Sequence, residues 1–372
     1  MPPMRRPRPA LGLAYLCLLA SGSLLVAGCG GGDSTTSHVN PDAESGKSRP
    51  APPKSAFPSA KGKTLRELIN QQGNHTTDLK IDAEAQAFYP GPNRYPFTIA
   101  EKLGSSGKTG AEIPGAETAI YFAKVPTVKP GAKSKAGNKG LVGKAQAQAL
   151  EQPAIGPFPA RIESLATDPA FQGKTTTEDP DVASVVYSTE LNLPAEGEYR
   201  PAILIKEKDG VGAKLLPSIN VGEYAKIPRP GDKAPLIETP TAKSVGGDLA
   251  KLTTRIPPDT QNKVNYAEVL GKEPILLLFA TPQFCQSRVC GPVVDVAQQV
   301  QHEFEGKANF IHMEIYNEND PSQGVRPQVR RFHLPTEPWL FAINREGVVS
   351  AAIEGAFGTK LMHKTVEKVV GE

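Results

Sequence analysis

Cysteine is scarce in this sequence, with four among 372 residues, at positions 17, 29, 285 and 290. So few cysteines exclude a small domain held together by many disulfides. Long apolar runs are also lacking, because the longest, at about residues 10–25, is shorter than the roughly 20 residues of a membrane-spanning helix. Lys and Arg outnumber Asp and Glu by only 42 to 39, too small an excess to indicate a nucleic-acid-binding protein. The informative question is therefore where the four cysteines lie.

The N-terminus has the pattern of an export signal. Three arginines within residues 5–8 precede the apolar run, and the run ends in the sequence VAGC at residues 26–29. Basic residues, a short apolar segment and then small residues are typical of a signal peptide. The VAGC sequence resembles the lipobox of bacterial lipoproteins, in which the chain is cut before the cysteine and its thiol carries lipid. The resemblance implies that residues 1–28 are removed and that Cys29 is lipidated, with acyl chains such as palmitate.

Such processing predicts a protein of the cell envelope, anchored in the membrane through Cys29 and facing its extracytoplasmic side. Residues 29–75 are rich in Gly, Ser, Pro and small polar residues near their start, which is typical of a flexible tether that is disordered. Residues 126–152 carry five lysines and few large apolar residues, so we expect a disordered insertion there. A basic patch that touches anionic lipid headgroups is the alternative for these lysines.

The middle of the chain, residues 76–230, predicts an all-β sandwich domain. Strand-like runs at 119–125, 185–193 and 199–206 are separated by turns rich in Pro and Gly. Short strands joined by such turns are typical of a sandwich. The element LP-x-x-G-x-Y at 193–199 resembles immunoglobulin-like modules of bacterial envelope proteins, and this resemblance implies an Ig-like fold.

The remaining segment, residues 231–372, alternates apolar strand-like runs with helical patterns. The order is strand 275–280, a helix beginning near Cys290, strand 309–316, helix 325–332, a hairpin over 339–353 and helix 361–370. This order predicts an α/β domain with a mixed sheet. Alternation within strand 309–316 predicts that His312 lies on an outer face.

Two cysteines fall between the first of these strands and the helix after it. Cys290 stands just before Gly291-Pro292, where a helix start is expected, and a helix N-terminus favours the thiolate form of a cysteine. Cys285 lies five residues earlier, close enough to bridge to Cys290 if the loop folds back. Because disulfides persist outside the cytoplasm, we expect Cys285 and Cys290 to form one.

Three segments of the C-terminal region resemble the thioredoxin-like superfamily, including its membrane-tethered extracytoplasmic branch. They are PGDKAP at 230–235, LLLFATPQFCQSRVCGP at 276–292 and TEPWLFAINREG at 336–347. The resemblance implies a thioredoxin-like fold and thiol–disulfide exchange with extracytoplasmic protein thiols and disulfides. It implies that Cys290 is the catalytic nucleophile and that Cys285 is the resolving thiol.

The same resemblance assigns the superfamily's cis-proline to Pro338, with Trp339 beside it in the groove that receives the partner chain. The sequence departs from the usual Cys-Gly-Pro-Cys at Val293, and the buried acid that often lies on the central strand has no counterpart. Two alternatives therefore stay open. One is a structural disulfide in a non-catalytic binding or scaffold lipoprotein, and the other is a copper site made of the two cysteines and a histidine such as His333. No motif for a bound cofactor is present, so none is expected.

Overall fold

A computed structural model describes residues 46–71, 76–103, 108–127, 137–178, 182–208, 210–285 and 288–372. The described residues all belong to one compact unit, His38–Glu372. The expected signal peptide and lipidated Cys29 lie outside the described residues. Within the described ranges, no helix has the length and apolar character needed to cross a membrane.

Most of the regular structure in these ranges is β-sheet. The strands are β1 (Lys80–Ala83), β2 (Gly91–Leu103), β3 (Lys108–Glu112), β4 (Thr118–Lys124), β5 (Ile155–Pro159), β6 (Arg161–Ser164), β7 (Val185–Leu193), β8 (Gly197–Glu207), β9 (Gly210–Leu215), β10 (Ile219–Val221), β11 (Ile275–Phe279), β12 (Asn309–Met313), β13 (Trp339–Ile343) and β14 (Val349–Glu354). The helices are α1 (Leu65–Asn70), α2 (Gly137–Ala149), α3 (Lys174–Thr177), α4 (Tyr266–Val269), α5 (Cys290–Glu303), α6 (Pro327–Arg331) and α7 (Thr359–Gly371).

Two antiparallel sheets enclose a shared apolar core. The first has the order β1-β2-β7-β6 with β3 paired to β2, and the second has the order β10-β8-β4-β5 with β9 paired to β8. Tyr95 and Phe97 of β2 meet Phe122 of β4 across this core, and the ring centroids of Tyr95 and Phe122 are 5.8 Å apart. Two sheets that bury one face of each strand against the other are compatible with a β-sandwich. The predicted strand 185–193 is confirmed, with those bounds.

The outer face of β4 is covered by the segment that precedes the sheets. Phe57, Leu65 and Leu68 are buried against Tyr121 of β4. Helix α1 begins at a capping box, in which Thr64 and the third residue of the helix exchange hydrogen bonds. Residues 46–71, which we expected to belong to a disordered tether, are therefore folded, because their apolar side chains cover a sheet face.

The segment expected to be a disordered insertion also differs from its prediction in part. Residues 137–149 form α2, and Ala145 and Ala149 are buried beside Val125. Small side chains at a spacing of four residues place both alanines on one face of the helix. That face packs on Val125, which directly follows β4, even though the segment has few large apolar residues.

The third sheet contains the strands of the C-terminal region in the order β12-β11-β13-β14. Strand β11 is parallel to β12 and antiparallel to β13, and all five of its residues are buried. Helices α5 and α7 pack on one face through Val293, Ala297 and Val366. Phe279 and Phe332 fill the core on the other face, where their ring centroids are 5.1 Å apart. The N-terminal end of α5 lies at the end of the sheet where β11 ends.

The predicted α/β thioredoxin-like fold class is wrong. The described chain is mostly β-sheet, in three antiparallel or mixed sheets with few helices, of which only α2, α5 and α7 exceed six residues. Between β10 and β11 the chain forms turns, a 3-10 helix and the four-residue α4. The helix predicted over 325–332 is reduced to α6, which begins at Pro327, a residue favoured in the first helical position, and is followed by His333 in a left-handed conformation with a φ of +59°. The individual strands and the helix start at Cys290 nevertheless lie where the sequence predicted them.

A buried ion pair fastens two loops to α5. Arg255 Nε donates to Asp295 Oδ1 at 2.7 Å, and only 4% and 1% of these side chains are exposed. The Arg255 guanidinium also donates to the carbonyls of Phe171 and Pro257, while Asp295 Oδ2 accepts the Gly173 N–H. Burial raises the pKa of Asp295 even though Arg255 and Gly173 act in the opposite direction. The carboxylate therefore depends on these partners to stay ionised inside the protein.

We predict that Arg255→Met lowers the free energy of unfolding by about 3–5 kcal/mol, because it leaves Asp295 buried without its counter-charge. Urea denaturation at neutral pH measures this loss. Lys263→Met is the matched control, since it removes an exposed ion pair to Glu305 and we expect it to cost less than about 1 kcal/mol. Equal losses in the two variants would contradict the structural role of the buried pair.

Candidate functional site

The two cysteines of the described chain meet at the N-terminal end of α5. Cys290 is the first residue of the helix, and Cys285 lies in the turn that leaves β11. The backbone N–H of Cys290 donates to Cys285 Sγ at 3.3 Å, and the Cys290 thiol hydrogen-bonds the same sulfur. Both residues are thiols here, rather than the disulfide expected from the sequence. The two cysteines therefore lie close together, as the proposed bridge between them requires.

Burial distinguishes the two thiols. Cys290 is fully buried among apolar side chains that include Val293, whereas Cys285 is partly exposed. Burial first, and Cys285 second, raise the pKa of the Cys290 thiol well above its ordinary value, although the Thr281 N–H acts against them. The helix N-terminus therefore does not make Cys290 an accessible thiolate. Cys290, predicted to be the attacking thiol, is thus the buried residue of the pair, and Cys285 is the more exposed one.

A carboxyl group that titrates near neutrality lies beside the pair. Burial, together with the charge of Cys285, raises the pKa of Glu337 to about 7. Glu337 in turn contributes to the raised pKa values of Cys290 and Tyr316, so its charge acts on both. The Glu337–Pro338 peptide bond is cis. Glu337 was not among the residues predicted from the sequence, where a buried acid was expected only on the central strand. Its position directly before Pro338 could have indicated it.

The sequence assigned Pro338 and Trp339 to the groove that receives a partner chain. Both are buried, and the Trp339 ring stacks on Phe341 with centroids 5.6 Å apart. The aromatic groups that remain partly exposed near Cys285 are those of Phe284 and Tyr316, which meet edge to face at 6.2 Å. A partner chain that reaches Cys285 would therefore meet these two rings.

Trp339 instead borders a separate cleft of about 460 Å³, which Tyr89, Arg229 and Glu354 also line. The Arg229 guanidinium lies 4.8 Å from the centroid of the Tyr89 ring. The Glu354 carboxylate accepts two backbone N–H groups at 2.9 Å and the hydroxyl of Thr336. Burial raises the pKa of Glu354 to about 7. A cleft with aromatic walls and a few converging polar groups is suited to binding.

The histidines do not assemble a metal site in the described residues. His333 is exposed, and no group of three His, Cys, Asp or Glu side chains in these ranges is arranged to hold a metal ion. His312 is fully buried and lies 2.8 Å from Asp259, not on an outer face as predicted. The prediction failed because both faces of the third sheet are covered, so alternation along β12 does not separate buried from exposed residues.

Comparison with protein-family models and with curated proteins found no match for this chain.

We predict that Glu337→Gln accelerates alkylation of Cys285 by iodoacetamide by roughly threefold to tenfold at about pH 8.5, because it removes a like charge beside the thiolate. Well below pH 7 Glu337 is protonated and uncharged, so the rates of variant and wild type should converge. Trypsin cleaves at Arg288 and separates the two cysteines, so peptide mass spectrometry reads Cys285 alone.

The exposed Glu346 provides the control, as Glu346→Gln carries the same change of charge in the β13–β14 turn. We expect this variant to match the wild type at every pH. A Glu337→Gln variant whose rates also match the wild type throughout would refute the electrostatic coupling.

Proposed function

We propose that this protein is a membrane-anchored lipoprotein that carries out thiol–disulfide exchange on extracytoplasmic proteins through Cys285 and Cys290. The observation that carries the proposal is the contact between a partly exposed cysteine, Cys285, and a buried one, Cys290, whose backbone N–H lies 3.3 Å from Cys285 Sγ. Exchange requires one thiol that reaches a partner and a second that is protected until the mixed disulfide forms. The unequal burial of the two residues supports this division.

The first step is attack on a disulfide of the partner. Cys285 loses its proton, and its thiolate forms a bond to one sulfur of the partner while the partner's S–S bond breaks. The second sulfur of the partner leaves as a thiolate and takes up a proton. Cys285 accepts the N–H of Cys290, and such a hydrogen bond from a helix N-terminus stabilises the thiolate form.

The second step releases the partner. Cys290 loses its proton and attacks Cys285 Sγ, which forms the Cys285–Cys290 disulfide and breaks the bond between Cys285 and the partner. The partner leaves as a second thiolate and is protonated. In sum, the partner's disulfide gains two electrons and two protons, and the dithiol of this protein loses them. The same steps in reverse oxidise a partner dithiol.

Glu337 is suited to move the protons of both steps. A group whose pKa is about 7 is present in both protonation states at neutral pH, which is the condition for efficient general acid–base catalysis. Its charge acts on the Cys285 and Cys290 thiols. Its electrostatic coupling to both thiols makes Glu337 the carboxyl group to test as the proton carrier of the two steps.

The cleft at Trp339 supports a second candidate, a binding lipoprotein in which the cysteines are structural. In that case a partner would occupy the 460 Å³ cleft beside Arg229 and Glu354, and loss of either cysteine would not affect its capture. The copper-binding alternative needs a third ligand, and His333 is not grouped with the two cysteines in the described residues. The partly exposed Cys285 favours exchange over both alternatives.

We predict that Cys290→Ser accumulates a mixed disulfide with glutathione when it is incubated with oxidised glutathione, because Cys285 attacks and nothing resolves the adduct. Cys285→Ser should accumulate little, since its remaining thiol at this site is buried. Intact-mass spectrometry counts the adducts, and the tryptic peptides locate them. The wild type should instead convert to the Cys285–Cys290 disulfide and release reduced glutathione.

The control is the double variant Cys285→Ser with Cys290→Ser, which reports any reaction at the other two cysteines. Accumulation of the adduct in Cys285→Ser but not in Cys290→Ser would overturn the order of the two thiols. If no variant reacts above the double variant, the exchange function itself is wrong.

The anchor is tested in bacterial cells that express the full chain. We predict that Cys29→Ala abolishes labelling with an alkyne analogue of palmitate and moves the protein out of the membrane fraction, because the acylated thiol is lost. Cys17→Ala is the matched control and should leave labelling and fractionation unchanged, since that cysteine lies in the cleaved segment. Labelling that survives in Cys29→Ala would contradict the lipoprotein proposal.

A further inference from the structure

We propose that the cleft beside Trp339 binds a carboxylate attached to an apolar body, and that Arg229 holds the carboxylate. The cleft lies where the first sheet meets the third, since β2, the segment 227–232, β13 and β14 all contribute to its walls. Neither cysteine lines it, so the inference is independent of the exchange function. It names the chemistry of the occupant that the second candidate function leaves open.

The walls of the cleft are mainly apolar. Four prolines line it, at positions 90, 92, 228 and 230, together with Tyr89, Trp339 and Leu361. Proline fixes its own backbone, so these walls are stiff. The volume of about 460 Å³ falls within the roughly 300–1,000 Å³ of clefts that take small organic molecules. The cleft therefore suits a ligand whose body is apolar.

The acidic side chains of the cleft are already engaged by the protein. The Glu354 carboxylate accepts the three hydrogen bonds described above, and burial raises its pKa to about 7, so much of it is uncharged below neutral pH. Glu190 pairs with Arg161 at 3.0 Å. Asp232 Oδ2 accepts the backbone N–H of Arg229 at 2.8 Å. These groups offer little to a cationic ligand.

The Arg229 guanidinium is the charged group of the cleft whose donors stay open. Within the described ranges it makes no hydrogen bond or ion pair, and it stacks on the Tyr89 ring, 4.8 Å from the centroid. The other cation, Arg94, donates instead to the carbonyls of Glu354 and Ala356. A guanidinium stacked on a ring keeps the N–H donors at its edge open, and such an edge binds a carboxylate through two parallel hydrogen bonds.

Arg229 and Tyr89 are both held in position before a ligand binds. Prolines flank Arg229, whose carbonyl accepts the Asp232 N–H at 2.9 Å. The Tyr89 hydroxyl donates to the Tyr224 carbonyl at 3.1 Å. The Asn93 side chain hydrogen-bonds the N–H and the carbonyl of Tyr89 at 2.9 and 2.7 Å. A site that is ordered in advance binds its ligand at a lower cost in free energy.

The test uses Trp339, the only tryptophan of the chain, as a reporter of the cleft. At pH 6.5, 4-phenylbutyrate is titrated into the full-length protein and compared with 4-phenylbutyramide, which has the same apolar body without the charge. The dipeptide N-acetyl-phenylalanyl-leucine is compared with its C-terminal amide in the same way. Fluorescence of Trp339 follows binding, and calorimetry measures it without the reporter.

We expect at least one acid to bind about tenfold or more tightly than its amide, because hydrogen bonds between charged groups are the stronger ones. Preference for 4-phenylbutyrate supports a small organic acid as the occupant, and preference for the dipeptide acid supports the C-terminus of a peptide. Equal affinity of acid and amide in both pairs, or no binding of either acid, would overturn the inference.

Two variants then assign the carboxylate to its partner. Arg229→Gln should weaken binding of the preferred acid about tenfold and leave its amide unchanged, because only the acid uses the charge. Arg331→Gln is the matched control, since Arg331 is also exposed but does not line the cleft. Wild-type affinity for the acid in Arg229→Gln would overturn the inference. The glutathione experiment reads only the cysteines, so either proposal can fail without the other.

Discussion

The burial of the Cys290 sulfur in the first turn of α5 is the constraint on which the chemistry of this site depends. It raises the pKa of that thiol and withdraws it from partners, while the backbone N–H of the same residue donates to the sulfur of Cys285. A helix N-terminus normally favours a thiolate, but the dipole effect is on the order of 1 kcal/mol and acts mainly at exposed positions. The free-energy cost of removing a charge from water is larger than this dipole effect. The helix end therefore donates a hydrogen bond to the more exposed Cys285, whereas burial keeps the Cys290 thiol protonated.

The rest of the architecture holds that helix end in place. Strand β11 is buried on both faces and delivers the chain to the turn that contains Cys285. The ion pair of Arg255 and Asp295 fastens α5 to two loops one turn further along. The imidazole of His312 fixes the carbonyl of Ala280 from the neighbouring strand. Arg255, Asp295 and His312 are thus buried polar side chains beside a mostly apolar helix, and each of the three has a hydrogen-bond partner.

Local elements were predictable from the sequence because they depend on short-range patterns. The apolar run at 275–280 forms β11, the alternating segment at 185–193 forms β7, and the Cys-Gly-Pro sequence marks the start of α5. The fold class was not, because the chain between β10 and α4 forms turns and a 3-10 helix and α6 is shorter than predicted, so the described residues contain few helices. Which of the two cysteines is buried could not be predicted either, since it depends on how α5 packs against the third sheet.

The environments of two titratable side chains, Glu337 and His312, could not be predicted from the sequence, for different reasons. Glu337 precedes a proline that the sequence had already singled out, but only packing raises its pKa to about 7. His312 was assigned to an outer face because alternation was taken to separate core from surface, whereas both faces of this sheet are covered.

The most direct test of the account is the reduction potential of the Cys285–Cys290 pair, measured by equilibration with glutathione buffers at pH 7. An exchange site with one accessible sulfur predicts a potential between about −120 and −270 mV, the range of proteins that exchange disulfides. A potential below about −300 mV would identify a structural disulfide and contradict the proposed function.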